Sequence, residues 1–370
     1  MEIKRTMKMK ILRIVLAGIA FGMMASCGTS DDDVSLNLNL DGDLGLGKPA
    51  DDCLDFGSND LILSIQDQFT TLPGKVSIFF RVSDASGNPV AGLTADQFTI
   101  YEQGRNDACF NTISSSESLA RISPNSQIFT NHTLLVLDLS NSVLSSSLNE
   151  LKSASTSFID NVMPAVTTES FKMGIYWFDG EDVLHELHPL TSSKEDLQAA
   201  IASITSDISN DPSTDLYGAV IKSTDKATAL IEASAKNNTI GGASVVIFTD
   251  GTDQASRYTE DRALEKVEKA NSNISFFTIG LGSEIDSEVL EAIGKTYSVF
   301  AGNKEELEVT FNQLSQKVSE RANSYYLFEY CSPKRDGSGE NNLVIRVQRG
   351  AQQGAVQTSF NATGFTGGCE

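Results

Sequence analysis

The sequence predicts an α/β chain in which a doubly wound, mostly parallel sheet is inserted into an all-β domain split between the two ends. Three observations predict it. Two apolar runs, 133–137 and 244–248, are too short to span a membrane, and each stops abruptly at an aspartate, Asp138 or Asp250. Runs of this kind read as parallel strands buried on both faces. Between them, and for 70 residues beyond, segments with strand and helix patterns alternate, which is the order of βα units. Both ends of the chain instead show short alternating segments separated by Gly, Pro, Asn and Asp, as in β-sandwiches.

The chain has 370 residues, enough for two or three domains. Residues 1–26 combine five basic residues (Lys4, Arg5, Lys8, Lys10 and Arg13) with an apolar core and small residues before Cys27. This is the make-up of a secretory signal rather than a membrane span, for which the core is too short. Met24, Ala25, Ser26 and Cys27 resemble a bacterial lipobox, which implies cleavage before Cys27 and its lipidation. Residues 27–52, rich in Asp, Asn and Gly, read as an acidic flexible tether. The aspartates 31–33 behind Cys27 resemble surface-export signals of Bacteroidetes-type lipoproteins. The expected location is therefore the cell envelope, lipid-anchored at the outer membrane, with exposure on the cell surface left open.

The net charge is −21, and loss of the signal would take it to −25. Such acidity argues against nucleic acid or anionic lipid as a partner. Besides the lipidated Cys27 the chain has four cysteines (Cys53, Cys109, Cys331 and Cys369), an even number that suggests two disulfides in an exported protein. No C-x-x-C spacing points to zinc. The three histidines are too scattered for a zinc site, and His185 and His188, beside a hairpin, are expected to face solvent.

Residues 53–125 hold strands at 76–82 and 98–101, with a turn at 84–89 between them. The phrase from Val82 through Gly92, Leu93 and Thr94 to Phe98 and Glu102 resembles Ig-like modules of bacterial surface proteins. Too few strands lie here for a whole sandwich, and 325–370 supply the rest at 325–330, 343–347 and 356–360. Four cysteines allow three pairings; nested bridges, Cys53–Cys369 and Cys109–Cys331, would suit insertion of the middle into this domain by tying both entry points.

The inserted part, 126–324, continues from its first strand with a helix at 148–159 and a strand at 171–178. A turn at Asp179 and Gly180 leads into a partner strand. Helices at 197–204 and 216–231, the second buried strand, a helix at 264–270 and a strand at 274–279 follow. A short helix at 289–293, an edge strand at 299–300 and a closing helix at 305–322 complete it.

The chemistry sits where strands end. Asp138, Ser140 and Ser142 form D-x-S-x-S directly after the first buried strand. Loops past the carboxyl ends of strands are where open α/β sheets bind ligands. Carboxylate and hydroxyl oxygens suit Mg²⁺, Ca²⁺ or Mn²⁺. Two more motifs follow, Thr214, Leu216 and Ala219 as T-x-L-x-x-A, and Thr249, Asp250 and Gly251 as T-D-G. In this order and spacing the three resemble the von Willebrand factor A domain with its metal-ion-dependent adhesion site, over about residues 126–324. The resemblance implies a Rossmann-like sheet and a divalent cation, Mg²⁺ first, then Mn²⁺ or Ca²⁺. It implies that Ser140 and Ser142 bind the ion directly, Thr214 directly or through water, and that Asp138 and Asp250 orient coordinated water. The partner it implies is a protein presenting Asp or Glu, as in adhesion, rather than a substrate. A structural subunit of an envelope assembly is the alternative. A metal-dependent hydrolase is disfavoured because no general base accompanies the serines; His132 starts the same strand and belongs at its other end.

Overall fold

The computed structural model describes residues 44–369, apart from 58, 105, 114–120, 124–128, 166, 238 and 336–338. The signal, Cys27 and the greater part of the expected tether lie outside the described residues. The tether reading stops short of its expected end at 52. Leu44 and Ile65 are joined through the Ile65 N–H (2.9 Å), and Lys48 exchanges two backbone hydrogen bonds with Gln357. Gly45, at φ +61°, makes this approach possible, since a Cβ there would meet the Ile65 carbonyl oxygen at 2.0 Å.

Strands β1 (Leu61–Thr71), β2 (Lys75–Asp84), β3 (Phe98–Glu102), β4 (Asn111–Ile113) and β5 (Arg121–Ser123) come from the first flank. The inserted region contributes β6 (Phe129–Asp138), α1 (Asn141–Ser146), α2 (Leu148–Val162), β7 (Phe171–Phe178), β8 (His185–Thr191), α3 (Lys194–Ser203) and α4 (Leu216–Lys236). It continues through β9 (Ile240–Thr249), α5 (Glu260–Glu268), β10 (Ile274–Leu281), α6 (Ser287–Ile293), β11 (Tyr297–Ala301) and α7 (Leu307–Ala322). The last flank adds β12 (Tyr325–Cys331), β13 (Glu340–Arg349) and β14 (Gln352–Asn361).

The flanks form two four-stranded sheets, β1-β2-β12-β5 and β14-β13-β3-β4. Antiparallel pairing of β12 with β2 and of β13 with β3 stitches the two ends of the chain together. Phe80 and Ile65 from one sheet and Phe98, Ile345 and Val356 from the other share one apolar core. A smaller aromatic cluster, in which Phe129 stacks on Tyr325 at 4.8 Å, marks where the chain leaves and re-enters this body.

The disulfides correct the nested expectation: Cys53 pairs with Cys109 and Cys331 with Cys369, at Cα separations of 5.8 and 5.5 Å. Packing accounts for the choice. Leu54 and Phe56 pack with Cys109 and Phe110 in one cluster, bringing Cys53 to the connection between β3 and β4. The C-terminal tail runs beside the end of β12, where Thr366 N–H donates to the Pro73 carbonyl and Ser332 N–H to that of Gly74. Each bridge thus closes within one flank, and strand pairing does the joining that was expected of sulfur.

The inserted region forms a six-stranded sheet, β11-β10-β9-β6-β7-β8, parallel except for β8 against β7. Successive side chains of a strand face opposite ways. Leu135, Leu137, Val246 and Phe248 pack with α2, α3 and α7, while Leu134, Val136, Val245 and Ile247 pack with α4, α5 and α6. Both faces being covered is why these strands read as continuous apolar runs. Each such buried side chain contributes about 1.5–3 kcal/mol over exposure. After β6 the chain goes to β7 on one side and later returns to β9 on the other, so the strand order reverses at β6. A crevice opens beyond strand ends at such a point.

Candidate metal centre

Asp138 closes β6 in that crevice and is 0% exposed. Its Oδ1 accepts the Ser140 N–H at 2.9 Å, which turns the chain into α1 with Ser140 as N-cap. Its Oδ2 accepts the Thr249 hydroxyl at 2.6 Å from the end of β9. Ser140 Oγ and Ser142 Oγ are 3.2 Å apart, and the Ser142 hydroxyl donates to Asp250 Oδ1 at 2.8 Å. Asp138, Ser140, Ser142, Thr249 and Asp250 therefore form one hydrogen-bonded cluster across two loops.

Thr214 sits on the adjoining third loop and is 2% exposed. Its carbonyl accepts the N–H groups of Gln254 and Ala255 at 2.9 and 3.0 Å, and the carbonyl of Pro212 accepts that of Asn141 at 3.2 Å. Its loop is thereby fastened to both others. Asp215 then caps α4, accepting the Gly218 N–H at 3.2 Å.

Burial pushes the Asp138 carboxyl up to about 7, against the lowering effect of its Thr249 and Ser140 donors; the Asp250 charge adds to the rise. Burial likewise raises Asp250, against the Ser142 donor, with Glu284 adding to it. Two desolvated carboxylates and two hydroxyls in one cluster make an all-oxygen donor set with unmet negative charge. This set fits a hard divalent cation. Beside it lies an open cavity of about 330 Å³ lined by Ser142, Ser146, Asp250, Glu284 and Lys304 among others.

The sequence model of the von Willebrand factor type A domain matches residues 134–317, from the first buried strand into α7. Residues 134–317 are a von Willebrand factor type A domain. No curated protein matches the chain in sequence. Among solved structures the chain is similar to proximal thread matrix protein 1 of the mussel byssus with a zinc-occupied MIDAS motif. That match has 16% identity and a TM-score of 0.43, covering 52% of this chain and 48% of that one. It is also similar to BatB from Bacteroides thetaiotaomicron (18%, TM-score 0.40, 52% and 98%) and to the manganese-loaded TRAP protein of Plasmodium vivax (14%, TM-score 0.41, 66% and 98%). The chain thus spans about half the length of the mussel protein.

Other residues sit differently from expectation. His185 is only 22% exposed and stacks on Trp177 at 3.9 Å rather than facing solvent. His132 is buried near the start of β6, six positions before Asp138. At a strand rise of about 3.3 Å per residue that is roughly 20 Å from the serines. Thr249 was legible only as part of T-D-G; its hold on Asp138 depends on β6 and β9 being neighbours.

Proposed function

We propose that this chain is a cell-envelope lipoprotein, anchored through Cys27, whose A domain binds a protein partner by way of a divalent cation. The observation that carries the reading is the 2.8 Å bond from Ser142 to Asp250, which gathers loops 108 residues apart into one oxygen cluster. Ser140 and Ser142 hold the ion directly, Thr214 directly or through water, and Asp138 and Asp250 orient coordinated waters. When bound, the ion offers a coordination position to a carboxylate from outside. Mostly neutral direct ligands leave it electrophilic, so a partner's Asp or Glu gains a charge-assisted contact. Mg²⁺ is the expected occupant, with Mn²⁺ and Ca²⁺ next.

The two-sheet body fits an Ig-like stalk between membrane and A domain, and the acidic tether gives it reach. We assign no catalysis, since the distance of His132 leaves the serines without that histidine as a base. Pull-downs from intact cells, with and without EDTA, test the reading. Partner recovery should vanish with EDTA and with Ser142→Ala; recovery unchanged by both refutes it. Metabolic labelling with a radioactive fatty acid, lost in Cys27→Ser, tests the anchor.

A further inference from the structure

We propose a second metal site, for zinc, in the hairpin between β7 and β8, with Asp179, Glu181 and His185 as its protein ligands. In sequence these form D-x-E-x-x-x-H, too loose a pattern to notice. Antiparallel pairing of β7 with β8 folds them together, so that one ligand atom from each lies within 4.8 Å of the others.

His185 Nε2 lies 3.4 Å from Glu181 Oε2 and 3.9 Å from Asp179 Oδ1. Ligands on a tetrahedral zinc at about 2.0–2.1 Å stand roughly 3.3 Å apart, so little movement separates this arrangement from a coordinated one. The Nε2 atom is shut off from solvent and makes no hydrogen bond. A buried polar atom left in this way carries a cost that coordination would remove.

Two of the three ligands are already oriented. The Asp179 side chain is 0% exposed, with the Ser209 hydroxyl on Oδ2 at 2.7 Å and the Glu181 N–H on Oδ1 at 2.9 Å. Bonds of this kind to a ligating carboxylate fix its direction. The imidazole is held flat against Trp177, at 3.9 Å and 11° between planes. Glu181, 39% exposed, stands on the solvent side, where ions enter and a water completes the shell. Mg²⁺ and Ca²⁺ take oxygen ligands, whereas imidazole with carboxylates suits zinc. The site is distinct from the Asp138 cluster, where no histidine takes part.

The chain has a single tryptophan, and it lies on the proposed histidine ligand. Tag-free full-length protein, saturated with Mg²⁺ to fill the oxygen site, is titrated with zinc while Trp177 fluorescence is followed. We expect a saturable change at one zinc per chain. Its midpoint should rise by at least about tenfold in Glu181→Gln and the change should vanish in His185→Gln. Should His185→Gln fail to fold, the half-exposed Glu181→Gln decides. No fluorescence change up to millimolar zinc, or an identical titration in Glu181→Gln, overturns the proposal. Either result leaves the EDTA-sensitive partner binding of the Asp138 cluster untouched.

Discussion

Thr249 donates its hydroxyl to Asp138 at 2.6 Å across 111 residues of chain, and so aims the central carboxylate of the candidate metal centre. Thr249→Val keeps the shape and removes the donor. Orienting partners of a metal site typically carry about 10–100-fold in affinity. Isothermal titration with Mg²⁺ should show a loss of that order, and Thr249→Ser should recover most of it. An unchanged affinity in the valine variant would sink this role.

The burial of Asp138 should also make cation binding at the proposed site depend on pH. Burial pushes its carboxyl from the ordinary 3.8 up to about 7. Between those values the folded chain keeps a proton that the unfolded chain has released. This group's contribution to stability is therefore present at low pH and fades as pH rises to about 7. A cation favours the ionised carboxylate and must expel that proton. Mg²⁺ affinity should climb from pH 5 to about 7, by up to about tenfold per unit, and then level off. Calorimetry in buffers of different ionisation enthalpy should show about one proton released at pH 6.

Non-reducing peptide maps should recover Cys53 joined to Cys109 and Cys331 joined to Cys369. Replacing either pair by serine should lower the stability of the two-sheet body by about 2–4 kcal/mol. Mg²⁺ binding by the A domain should persist, because neither bridge reaches it.

Phe311 on α7 is fully buried between Phe158 of α2 and Phe248 of β9. Phe311→Ala should cost about 3–5 kcal/mol in denaturant unfolding, through lost burial and the cavity left behind. Val309 on the same helix is 60% exposed. Val309→Ala should change stability by no more than about 0.5 kcal/mol.

Particular residues show how far sequence patterns reach. Leu134 to Leu137 read as a doubly covered strand because helices pack on both faces of β6. The order of β and α segments alone places Asp138, Ser140, Ser142, Thr214 and Asp250 at strand or helix ends. The sequence points His185 towards solvent, because its contact with Trp177 arises only when β8 folds back on β7. The cysteine count announced two bridges yet was silent on partners, since four cysteines allow three pairings.

By itself, then, the sequence determined the A-domain fold, its βα order and the oxygen chemistry of its loops, because these follow from local periodicity and from residue types at strand ends. Tertiary structure decided which cysteines met, that Thr249 holds Asp138, that Leu44 and Lys48 join the sheets, and that Asp179, Glu181 and His185 share one pocket of space. Those are matters of which strands and tails lie side by side, and adjacency between distant segments is settled by packing of the whole chain.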